Sequence, residues 1–145
     1  MTFSLYAANV PSCQQNLSAV MRMLDKAEAF CGDQEIAPNT IVEARLAENM
    51  LPFAYQVKST VVHSLGAIMG VHNGMFSPDT SPPPADFATL KGRITETLTT
   101  LAAIDPAEID GFVGRDIRFA LGDHRAGHEV QARLQAREED RPVGR

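Results

Sequence analysis

A chain of 145 residues, 44% hydrophobic and 21% charged, has the size and composition of one folded domain that needs neither metal nor disulfide staples. The net charge of −5 is uneven, because residues 1–114 carry 6 Lys and Arg against 12 Asp and Glu while residues 115–145 carry 7 Arg against 6 acids. An acidic body repels phosphate backbones, which argues against nucleic acid as a partner, and no continuous apolar run reaches the length of a membrane span.

The first helix is marked by Cys13, Leu17, Val20, Met21, Leu24, Ala27 and Cys31, which recur at three- and four-residue steps as one apolar stripe. Pro11 suits its opening turn and Gly32 its stop, so the expected span is 11–31. Lys26 and Glu28 read as its polar edge. Cys13 and Cys31, the only cysteines, then lie about 27 Å apart at ~1.5 Å per residue, too far to pair. Two unpaired thiols and no cleavable leader after Met1 predict a reducing, cytoplasmic setting.

Thr40 with Glu43 has the form of a capping box over a two-turn helix, 41–47. Asn49 then caps a second long helix, with Pro52 in its first turn and Ala54, Val57, Val61, Leu65 and Ile68 on its apolar side, reaching about His72. Asn73-Gly74 ends it, and residues 77–84, with four prolines, form an extended connector. Phe87, Leu90, Ile94, Leu98 and Leu101 define a third amphipathic helix with Lys91, Arg93 and Glu96 outward. Asp105-Pro106, followed by Glu108, closes that helix and opens one more turn.

From Gly111 the pattern decays, and residues 111–145 form a poorly patterned segment. Ile117, Phe119 and Leu121 alternate like a strand, too briefly for a sheet, before Gly122-Asp123 makes a turn. Val130 and Leu134 give a thin apolar seam within 129–137, and Glu138-Glu139-Asp140 reads as a solvated charge run among arginines. No repeat, Gly-rich phosphate loop, paired-cysteine motif or nucleophile elbow occurs.

Leu5-Tyr6 with Val10-Pro11, Leu24 to Glu28, Ala44 to Ala47, Met50-Leu51-Pro52 with Gln56-Val57, and Phe87, Leu90, Ile94 and Leu98 together resemble a family of uncharacterised bacterial proteins with a DinB/YfiT-like four-helix bundle. The resemblance runs from Ser4 to Leu101 and implies an all-α, up-and-down helical bundle in a single domain, 1–145. Its members close the bundle with an aromatic-rich fourth helix. Nothing comparable follows Arg125 here, so the fourth helix reads as missing or degenerate, lost by truncation or a change of reading frame.

The second long helix asks for more cover than three helices give. Ser59, His63, Gly66 and Gly70 cluster away from its apolar stripe, and residues 59–78 contain no Asp, Glu, Lys or Arg. A helix uncharged all round is normally buried all round, and glycines four apart permit close backbone approach. The expected partner is therefore a second copy of the chain, in a homodimer through Ser59, His63, Gly66 and Gly70. A small apolar ligand between helices is the other occupant considered.

The resemblance also implies a competing reading, because DinB-like bundles often hold a divalent metal on three histidines. His63 on the second helix and His124 and His128, four apart, match that count. Gly122 and Gly127 disrupt a helix through the pair, and His63 points off the apolar stripe. The favoured assignments are therefore a packed or interfacial His63 and exposed His124 and His128, with no metal site and no cofactor. His72 reads as a cation at its helix C-terminus, and Tyr6 and Tyr55 as ordinary half-buried tyrosines. The function expected is self-association or small-ligand binding by a bundle without a recognisable catalytic site. The alternative is a DinB-like metal-dependent thiol or small-molecule transferase.

Overall fold

The computed structural model describes residues 3–120. Helix α1 (Leu5–Asp33) is longer than its stripe predicts, because Ser4 rather than the Pro11 region caps it: the Ser4 hydroxyl accepts the Ala7 N–H at 3.0 Å. Pro11 lies inside the helix. Its missing N–H would otherwise bond the carbonyl of Ala7, a residue on the exposed side of the helix. The stop is also displaced from Gly32, which is helical; Glu35 takes the left-handed conformation (φ 53°), and the Ile36 N–H returns to the Cys31 carbonyl at 3.0 Å. Val10, Leu17, Leu24 and Cys31, spaced by sevens, are the buried line of α1.

The expected helix over 41–47 is instead α2 (Pro38–Val42), opened by Pro38 at its first position, with no side-chain cap and with Val42 buried. Thr40 and Glu43 form no capping box. The second long helix comprises α3 (Phe53–Val61), a π turn (Val62–Gly66) and α4 (Ala67–Asn73). It starts after Pro52 rather than at Asn49, since Pro52 holds an extended backbone (ψ 165°) and has no N–H to spend inside a helix. Gly74 ends it at φ 76°, as the Asn73-Gly74 pair predicts.

Helix α5 (Phe87–Ala102) is capped by Asp86, whose carboxylate accepts the Thr89 N–H at 2.7 Å and hydroxyl at 2.8 Å. Those two bonds lower the Asp86 pKa. Thr95, Thr97, Thr99 and Thr100 each donate to the carbonyl four residues back, so the buried Thr97 is satisfied within its own helix. Lys91 is half-buried, not outward: its Nζ lies 2.6 Å from both Asp25 and Glu28 and ties α5 to α1. Asp25 first and Glu28 second raise its pKa.

Helix α6 (Pro106–Asp110) forms as the sequence predicts, with Asp105 accepting the Ala107 N–H. Residues 118–119 do pair, contrary to the expectation of a stretch too short for a sheet. Strand β2 (Arg118–Phe119) runs parallel to β1 (Met75–Phe76) in a two-residue ladder, which Phe76 anchors on α4. The fold is otherwise all-α. Helices α1, α3 and α5 pack pairwise around one core, which Ile109 of α6 and Phe112 join. Phe112 therefore gives the poorly patterned segment a place in that core.

Candidate functional site

The chain folds back on the outer face of the second long helix, and this creates the candidate site. After Gly74 reverses direction, Phe76 lands on Gly70, where an added Cβ would meet the Phe76 Cβ at 2.7 Å. The β2 strand holds Phe76 there, since the Ala120 N–H donates to the Phe76 carbonyl at 2.9 Å. From Ser77 onward the proline-rich connector crosses the helix near the π turn. Single π turns of this kind recur at functional sites.

Two depressions flank the crossing. The larger is an open apolar groove of about 640 Å³, solvent included, with Val61, Leu65 and Met69 on the helix side and Phe76, Ser77 and Asp79 on the connector side. The smaller is a polar cleft of about 190 Å³, with Tyr55, Ser59 and His63 facing Pro78 and Asp79. Val62 and Asp79 border both.

Lys58 fixes the connector. It is 2% exposed, and its Nζ donates to the Ser81 carbonyl (2.5 Å) and hydroxyl (3.0 Å) and pairs with Asp79 at 3.1 Å. The Ser81 N–H in turn donates to Asp79 at 2.8 Å. These contacts hold the Asp79 carboxyl down at about 2, the Ser81 hydroxyl contributing most, then the Ser81 N–H, then Lys58. The buried ammonium thus has its donors used. It sits 6.0 Å from the Tyr55 ring centroid.

The four residues of the predicted face are not equivalent. Ser59 and His63 line the polar cleft, Gly66 borders the groove, and Gly70 is buried beneath the chain's own Phe76. Close approach at Gly70 is therefore intramolecular, which removes it from any interface with a second copy. His63 is exposed and meets Phe76 edge-on at 5.7 Å between centroids. Lys58 was missed because it reads as the last charge before an uncharged run. At ~100° per residue it falls about 20° from Leu65, inside the apolar arc, and that was the available signal.

His124 and His128 lie outside the described residues, as do Val130, Leu134 and the acidic run at 138–140. Among the described residues no three His, Cys, Asp or Glu side chains are grouped to hold a metal ion. His72, in the last turn of its helix, pairs with Glu108 at 3.1 Å and packs edge-on against Phe112, so it joins α4 to α6. Cys13 and Cys31 are free, and burial pushes the Cys13 thiol up, away from reactivity. No helix among the described residues is long and apolar enough to cross a membrane.

A family model described as "Domain of unknown function (DUF1993)" matches residues 5–137, beyond the Ser4 to Leu101 stretch that carries the resemblance noted above. No curated protein and no solved structure matches the chain.

Proposed function

The chain belongs to the DUF1993 family of domains of unknown function, and we propose that it acts as a binding module whose second long helix pairs with a second copy of the chain. The supporting observation is the apolar groove beside an uncharged helix surface. The two acidic bodies of a homodimer repel each other, so a stable contact between them requires a face without charge. The helix surface from Val61 to Met69 meets that requirement, the Asp79 carboxylate on the opposite groove wall being paired with Lys58, and Met69, 45% exposed, stands at the groove as a flexible side chain able to enter its twin. In this reading the interface is centred on Met69 and Gly66, with Ser59 and His63 at its rim. On the same reading the helices belong to a DinB-like bundle, and a second copy covers the outer face of the second long helix. A reducing, cytoplasmic setting suits its free cysteines.

Light scattering of the purified chain over a hundredfold concentration range tests this. A dimer that Met69→Glu weakens at least tenfold, with helicity unchanged, is the expected result. A monomer at every concentration overturns it. Elemental analysis of the same peak separates the alternative: a monomer carrying about one transition metal per chain, lost in His63→Ala, would make the DinB-like metal enzyme the leading reading.

A further inference from the structure

The connector is a strap whose polar ties to the second long helix, among the described residues, run through one buried lysine. Among the described residues, the polar contacts that residues 77–85 make outside their own segment all end on Lys58: the Ser81 carbonyl, the Ser81 hydroxyl and the Asp79 carboxylate. The strap also divides the site. Asp79 borders both the apolar groove and the polar cleft, and so does Val62 of the π turn.

We propose that Lys58, Asp79 and Ser81 form a latch that holds the strap across the outer face of the second long helix, and that its release joins groove and cleft into one channel. That channel would run from Tyr55 to Met69, about 21 Å at ~1.5 Å per residue, or roughly four turns of helix. The latch controls how much of the face a partner can reach, and its role in association rests on the reading given under Proposed function.

Two features make it a latch rather than a permanent weld. Asp79 and Ser81 are exposed, so water can replace their contacts with Lys58. The four prolines of residues 77–84 give the strap few N–H groups with which to bond elsewhere, and stiffen it so that it moves as a unit.

Backbone 15N relaxation of the full-length chain, below its association concentration, is the test. In Lys58→Met, which keeps the side-chain volume but removes the ammonium, the order parameters of the Thr80 and Ser81 amides should fall from about 0.85 to below about 0.6. Fluorescence of an anilinonaphthalene sulfonate probe should rise severalfold. Asp79→Ala, at an exposed position that cannot unfold the core, should move both readouts the same way and decides the matter if Lys58→Met loses helicity. Unchanged order parameters in a folded variant overturn the latch, and mobile amides without added probe binding overturn the joined channel. Because both readouts are taken on the monomer, a chain that never dimerises sinks the self-association reading and leaves the latch to be judged by its own result.

Discussion

Phe76 occupies the space that a side chain at residue 70 would fill: the distance from an added Cβ is 2.7 Å to its Cβ and 3.0 Å to its Cα. Part of the clash is with backbone, so no rotamer change relieves it. Gly70→Ala should therefore carry an overpacking cost of about 1–3 kcal/mol, which the ~1 kcal/mol helix preference of Ala over Gly offsets in part, for a net destabilisation of up to about 2 kcal/mol. Thermal unfolding measures this, and loss of the His63–Phe76 ring contact in the NMR spectrum would show that β1 has been displaced.

Gly92 provides the opposite case. It lies in the interior of α5, is exposed, and an added Cβ would meet nothing within 4 Å. Gly92→Ala should stabilise by roughly 0.5–1 kcal/mol through helix propensity and a less flexible unfolded chain. Denaturant unfolding with an unchanged slope would verify it, and a destabilisation there would mean that α5 is packed differently.

Asp110 joins the two ends of the described chain. Its carboxylate accepts the Ser4 hydroxyl at 3.1 and 3.2 Å and the Tyr6 N–H at 2.9 Å, so α6 helps set where α1 begins. Asp110→Ala should cost about 1.5–3 kcal/mol, the range for hydrogen bonds to a charged group. Hydrogen exchange should show the loss concentrated in the first turn of α1, ahead of Pro11, with the Leu17 to Cys31 portion protected as before.

What the sequence revealed and what it hid divide along one physical line. Features written in neighbouring residues were legible: the α1 stripe, the Gly74 reversal, and the α6 turn from Asp105, Pro106 and Glu108. Pro11 misled because a proline near a helix start suits either the first turn or an early exposed turn, and only the Ser4 cap decides between them. Lys58 and Gly70 were misread for a different reason. Their partners arrive 23 residues later at Ser81 and six residues later, across a reversal, at Phe76, and helical periodicity carries no information about a chain crossing the helix from outside. The same crossing covers Gly70 of the presumed dimer face and makes Ser59 and His63 the wall of a cleft.

Asp79 gives the strap an acid limit. Its carboxyl titrates near 2 in the folded chain, against about 3.9 in an unfolded one. A lowered folded-state pKa means that the ionised form is preferred by the native structure, so the stabilisation is fully present above about pH 4 and is lost as pH falls through about 2. Asp79 is 44% exposed on its side chain, so solvent screens part of this effect and its main target is the strap rather than global folding. Between pH 5 and 8 Asp79 stays ionised, so its own contacts with Lys58 and Ser81 should not change. Following the Thr80 and Ser81 amide shifts from pH 6 to pH 2 should give a transition at the low end of that range in the wild type. Asp79→Asn should abolish the transition and leave acid unfolding of α1 and α5 nearly where it was. A strap transition near pH 4 would show instead that Asp79 behaves as a free carboxylate and that Lys58 holds the strap through Ser81 alone.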